Sequence, residues 1–140
     1  SKVRVGLVGS QFVSTIHAEA FQRVQRAEVV AVASPTPGHA SAFAQRWGIP
    51  HALTDYRKML EMDELDIVVI GAPNDLHCRI TCDAAAAGKH VVCEKPLCLN
   101  LAEADRMIAA FCSGVTRAKI VVLETISSKS VPESRSMSGR

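Results

Sequence analysis

The chain has 140 residues, 48% of them hydrophobic, enough for one domain with a substantial core. Its 16 basic and 14 acidic residues are interspersed and leave a formal charge of +2, which excludes the clustered basic face of a nucleic-acid binder. No apolar run approaches the roughly 20 residues that span a bilayer, and five cysteines without a Cys-x-x-Cys pair exclude a disulfide scaffold or a zinc knuckle.

The first element is a buried strand over Val3–Val8, and Gly9-Ser10-Gln11-Phe12 turns the chain. A helix follows from about Ser14 to Val24, with Ile16, Ala20 and Phe21 expected on its inward face. The second apolar run, Glu28–Ala33, is broken by Ser34-Pro35-Thr36-Pro37-Gly38. Ala40–Trp47 reads as a helix burying Ala40, Phe43, Ala44 and Trp47, stopped by Gly48 and Pro50. After a short extended piece, His51-Ala52-Leu53, Thr54 is the expected N-cap of a helix through Leu60.

Asp66–Gly71 is a third strand, followed by the loop Ala72-Pro73-Asn74-Asp75 and a helix from about Leu76 to Ala87. The next strand, from His90, is Val91-Val92-Cys93 and runs directly into Glu94-Lys95-Pro96. Asn100 with Glu103 resembles a capping box for a helix to about Phe111, and Lys119–Leu123 is one more strand. From Glu124 to Arg140 the chain is serine-rich and aperiodic, and is expected to be a poorly packed tail behind a domain of residues 1–123.

Strands alternate with helices, and the strands are apolar throughout, so both sheet faces must be covered. The expected fold is therefore α/β, a doubly wound parallel sheet in a single domain. Right-handed crossovers place every strand-to-helix loop on one rim. That rim gathers Gly9–Phe12, Ser34–Thr36, Ala72–Asn74 and Glu94–Pro96, a binding site by geometry.

The first loop resembles a dinucleotide turn, G-x-G-x-x-G, with one glycine of three: Gly9-Ser10-Gln11-Phe12-Val13-Ser14. Gln11 stands where bare backbone would approach a pyrophosphate, and Ser14 takes the place of the helix-packing glycine. The helix start still offers N–H groups and a positive dipole end to a phosphate. At the end of the second strand, where an acid would hold the ribose of NAD, the chain has Ser34-Pro35-Thr36. NAD and NADP both stay open, the missing carboxylate leaning towards NADP. Of the five histidines, His17, His39, His51 and His90 read as structural or surface residues, while His77 follows the Ala72-Pro73-Asn74 loop and is a candidate for ligand contact.

Gly6-Leu7-Val8-Gly9, His17-Ala18, Ala72-Pro73-Asn74-x-x-His77, Ala86-Ala87-Gly88-Lys89-His90-Val91 and above all Glu94-Lys95-Pro96 resemble the Gfo/Idh/MocA oxidoreductases over about residues 3 to 112. The resemblance implies a Rossmann domain that binds NAD or NADP. It implies that Lys95 orients and polarises a substrate hydroxyl, that Glu94 and Pro96 line the nicotinamide pocket, and that Asn74 contacts the ribose. The implied reaction is hydride transfer to or from a hydroxyl of a sugar, cyclitol or related polyol. The family continues into a second α/β domain that carries the substrate pocket, and beyond about Cys112 no such pattern follows. The chain by itself is accordingly expected to bind dinucleotide without turnover. A nucleotide-sensing or partner-binding protein on the same scaffold is the alternative, and S-adenosylmethionine at the same rim is disfavoured by Glu94-Lys95-Pro96. The remaining expectations are a reducing cytoplasm, no secretory leader at Ser1–Arg4, no metal, no membrane, and a homo-oligomer formed over an uncovered sheet edge.

Overall fold

The computed structural model describes residues 1–112 and 116–123. Six strands form one sheet: β1 (Val3–Val8), β2 (Ala27–Ala33), β3 (His51–Leu53), β4 (Ile67–Ile70), β5 (His90–Cys93) and β6 (Ile120–Val122). Every pairing is parallel, and the order is β3-β2-β1-β4-β5-β6. The helices are α1 (Phe12–Gln22), α2 (His39–Trp47), α3 (Tyr56–Leu60), α4 (His77–Ala86) and α5 (Leu101–Cys112), with a 3₁₀ turn at Asn74–Leu76 before α4.

The unbroken apolar strands are explained by two cores, one on each face. In β4, Val68 and Ile70 pack with Met59 of α3, Ile80 and Ala84 of α4 and Met107 of α5. Val69, between them, packs on the other side with Leu7 of β1, Ala18 of α1 and Phe43 of α2. β5 alternates in the same way, Val91 and Cys93 to the first core and Val92 to the second. A strand buried on both faces has no place for a polar residue, so period-two alternation is lost. The strand order reverses between β1 and β4, so the crevice between their carboxyl ends is where a wound sheet binds ligands.

Two expectations are corrected. In α1 the buried residues are Ser14 and Ala18, with Phe21 half-buried, while Ile16 is 52% exposed and Ala20 is exposed. The helix starts at Phe12, and its inward stripe is made of small residues that let it approach the sheet closely. A Cβ added to Gly71 would lie 3.1 Å from the Ser14 hydroxyl oxygen. The cap of α3 is Asp55, whose Oδ1 accepts the Arg57 backbone N–H at 2.9 Å, rather than Thr54. At α5 the capping residues act as expected: Asn100 Oδ1 accepts from the Glu103 N–H at 2.9 Å, and the Glu103 carboxylate accepts from the Leu99 N–H at 2.8 Å. The serine-rich segment from Glu124 lies outside the described residues.

Candidate functional site

Two cavities open on the rim formed by the carboxyl ends of the strands. The larger, about 660 Å³, lies between the turn after β1 and the loops after β2 and β3. It is lined by Gly9, Ser10, Gln11, Ser34, Thr36 and Pro73, and by Asp55, Tyr56 and Arg57. The smaller, about 520 Å³, lies over the loops after β4 and β5 and is lined by His17, Asn74, His77, Glu94 and Lys95. Both fall in the size range of small-molecule sites. Phe12, Val13, Gly71 and Ala72 belong to both, so the cavities meet at the start of α1.

That meeting point is built by one glycine. Gly9 has φ +105°, and a Cβ placed on it would come within 2.8 Å of the Gly71 carbonyl oxygen. Its N–H donates to Ala33 O at 2.8 Å, and the Gly71 N–H donates to Val8 O at 2.9 Å, so the turn is threaded between the ends of β2 and β4. The helix it opens begins without a side-chain cap: Gln11 is extended and makes no capping bond, and no acid occupies the first turn. The first N–H groups of α1 are thus free to take an anion.

In the smaller cavity His17 Nε2 lies 2.6 Å from Glu94 Oε1, joining α1 to the loop after β5 across 77 residues of sequence. The pair is largely shielded, with side chains 14% and 20% exposed. The Glu94 N–H donates to Ile70 O at 3.1 Å, holding the loop in line with the sheet. His77 is buried, and each ring nitrogen lies 2.8 Å from a carbonyl oxygen, Nδ1 from Pro96 and Nε2 from Ala72. The ring therefore sits between the Glu94–Pro96 loop and the Ala72–Asn74 loop, its N–H donating to one of the two carbonyl oxygens. Lys95 and Asn74 are exposed at the cavity wall. Pro96 lines neither cavity, and the Lys95–Pro96 peptide is cis.

Four groups near the rim are shifted, Tyr56, Asp55, Arg57 and Cys93, with Arg57 raised by its bond to Asp55. Burial, and then the Asp83 carboxylate that accepts its hydroxyl at 2.5 Å, push Tyr56 up to about 12. The guanidinium of Arg57 beside Asp55 holds that carboxyl below its ordinary value. Burial pushes the Cys93 thiol up to about 11, which leaves it protonated and inert at neutral pH. Cys78 and Cys82 face the carbonyl oxygens of Glu103 and Arg106 on α5.

Gly9, Ser10, Gln11, Phe12, Val13, Ser34, Thr36, Ala72 and Pro73 therefore gather around the larger cavity, and Asn74, His77, Glu94 and Lys95 around the smaller. Reading the sequence alone missed two features. His17, which the sequence reads as structural, lines the same cavity as Lys95. The stretch from Thr54 to Arg57, running into α3, also reaches the rim, because the extended piece before it is a further parallel strand.

The chain matches the oxidoreductase family with an NAD-binding Rossmann fold, GFO_IDH_MocA, over residues 3–117, and it belongs to that family. It is 36% identical over 111 residues to the trans-1,2-dihydrobenzene-1,2-diol dehydrogenase of Danio rerio, covering 79% of this chain and 32% of that protein. It is 32% identical over 108 residues to the scyllo-inositol 2-dehydrogenase (NADP(+)) of Bacillus subtilis, covering 77% of this chain and 33% of that protein. The WlbA dehydrogenase of Bordetella pertussis, solved in complex with NADH and UDP-GlcNAcA, superposes with a TM-score of 0.80 at 31% identity, over 88% of this chain and 37% of that one. The chain thus spans about a third of the length of the curated relatives it matches.

Proposed function

We propose that this chain is the cofactor-binding part of a dehydrogenase that moves hydride between a nicotinamide dinucleotide and a hydroxyl of a sugar, cyclitol or related polyol. The observation that carries this reading is the pair of cavities meeting at an uncapped helix start. A dinucleotide has the same plan: two nucleosides joined by a pyrophosphate. The residues present fit the group, because Gly9 makes a left-handed bend that no side chain could take without striking the Gly71 carbonyl, and the α1 that this bend opens begins with N–H groups that lack side-chain partners. Bound there, the nicotinamide supplies the hydride acceptor or donor.

The chain's own residues do the rest. Ser10 and Gln11 flank the phosphates with polar side chains. Asn74 stands where the second ribose would lie. Lys95, at the mouth of the smaller cavity, polarises the substrate oxygen and takes or returns its proton. Glu94, held by His17, keeps a carboxylate beside a ring that is cationic in its oxidised form. NADP is the favoured dinucleotide because the end of β2 carries Ser34 and no acid. Alone, the chain binds dinucleotide without turnover, since positioning of the substrate supplies a large share of rate enhancement and needs a second wall.

Titration of the chain with NADPH and NADH, followed by nicotinamide fluorescence, tests binding. Failure of both to bind refutes the reading. In the complete enzyme Lys95→Ala is expected to cut turnover by about 10²- to 10⁴-fold, the usual weight of a general acid–base group. Full turnover in that variant removes Lys95 from the chemistry.

A further inference from the structure

We infer that Arg57, in the first turn of α3 just after β3, is the residue that reads the 2′-phosphate of NADP. The inference rests on the dinucleotide reading above and assigns the specificity of its adenosine end. An arginine near the end of β2 commonly accepts a 2′-phosphate, but the loop after β2, Ser34-Pro35-Thr36, holds none. The fold brings one from elsewhere. The Ser34 N–H donates to Leu53 O at 3.0 Å, which closes the end of β2 onto the end of β3. The residues that follow each strand are therefore neighbours, and Thr36 and Arg57 line the same cavity. Ser34 is 5% exposed and closes its floor, leaving Thr36 as the exposed hydroxyl on the β2 side. Arg46, in the adjoining pocket, lies with its guanidinium 5.2 Å from the Trp47 ring centroid.

Among the described residues Asp55 is the one carboxylate that lines this cavity, and it could serve the opposite purpose by accepting from a free ribose diol. Three of its roughly four acceptor sites are already engaged. Oδ1 takes the Arg57 backbone N–H at 2.9 Å and Nε at 3.1 Å, and Oδ2 takes Nη2 at 3.1 Å. The guanidinium has five N–H donors in a rigid fork and spends two on Asp55. Most of the hydrogen-bonding capacity left at this end is thus that of a donor cation, three N–H groups of Arg57 against one acceptor site on Asp55, and it matches a phosphate oxygen better than a diol. Asp55 acts as a positioning residue: it holds the fork in place and weakens its net charge.

Arg57 is exposed, so its removal should leave the fold intact. Dissociation constants for NADPH and NADH are measured by fluorescence on the 140-residue chain and on Arg57→Gln and Asp55→Asn. In Arg57→Gln the NADPH constant is expected to rise about 10-fold or more, the weight of a charge-assisted hydrogen bond, while the NADH constant moves by less than about twofold. Asp55→Asn, which keeps a capping oxygen and removes the competing charge, is expected to tighten NADPH relative to NADH. An NADPH-to-NADH ratio unchanged by Arg57→Gln overturns the inference while leaving the dinucleotide site standing. Absence of binding by either dinucleotide to the unaltered chain overturns both.

Discussion

Tyr56 and Asp83 show how one side chain reports on the local packing at the rim. Tyr56 is the chain's one tyrosine, so phenolate absorbance reads it directly. Its folded-state value, about 12, lies above the ordinary 10 because burial disfavours the phenolate and Asp83 both accepts the hydroxyl and repels the anion. A raised acid binds its proton more tightly when folded, so its contribution to stability is fully present below pH 10 and is lost as pH rises towards about 12. Spectrophotometric titration of the folded chain is expected to give one phenolate transition near 12, moving down in Asp83→Asn. A transition at the value of free tyrosine would show that α3 and α4 do not meet through this bond. The same scale separates what the sequence reveals from what it hides. Glu94-Lys95-Pro96 was legible because proline and a strand end fix the backbone of the lysine. The partner of Glu94 was not, because a histidine 77 residues away carries no local sign of its contact. His77 is legible as unusual from its place beside the loop and does line the smaller cavity, while the two carbonyl oxygens its ring nitrogens face carry no local sign in the sequence.

Among the elements, the turn from β1 into α1 has the least tolerance. Three glycines in the usual dinucleotide turn serve a tight bend, a close backbone approach and tight helix–strand packing. Here the bend is kept by Gly9 at φ +105°, and the packing is kept by two small residues facing each other, Ser14 on α1 and Gly71 after β4. The sequence template looked defective because it counts glycines in one segment, while close packing needs only that the sum of two facing side chains be small. Strand periods, by contrast, are legible, since covering both faces forces apolar runs at Val5–Val8 in β1, Val29–Ala33 in β2, Ile67–Ile70 in β4 and Val91–Cys93 in β5. The inward face of α1 was misread for the same reason as the turn: serine scores as polar in a pattern, yet Ser14 is 2% exposed. Gly9→Ala is expected to destabilise the chain by about 2–4 kcal/mol, combining a strained left-handed residue with a Cβ placed 2.8 Å from the Gly71 carbonyl. Denaturant unfolding measures this. A loss below about 0.5 kcal/mol would show that the turn relaxes freely and is no rigid cradle.

Over the whole molecule, the sheet divides at the reversal of strand order into β1–β3, which carry the larger cavity, and β4–β6, whose loops carry the smaller. A ligand confined to one cavity touches one half and the shared wall. A dinucleotide bound as proposed would reach both, and its second half would bind as an intramolecular event with the entropy of association already spent. Binding to the folded chain alone stabilises it by RT ln(1 + [L]/Kd), about 2.7 kcal/mol at 100 times Kd. Thermal denaturation with matched concentrations of NADPH, adenosine 2′,5′-bisphosphate and nicotinamide mononucleotide should therefore rank the dinucleotide well above either half. Its shift should exceed that of the two halves added together, because linking them lowers Kd more than their separate affinities suggest. Equal shifts from NADPH and the bisphosphate would mean that only the larger cavity is engaged. The loop from Glu94 to Pro96 would then owe its rigidity to His77 and the sheet, and the placement of Lys95 opposite a nicotinamide would have to be abandoned.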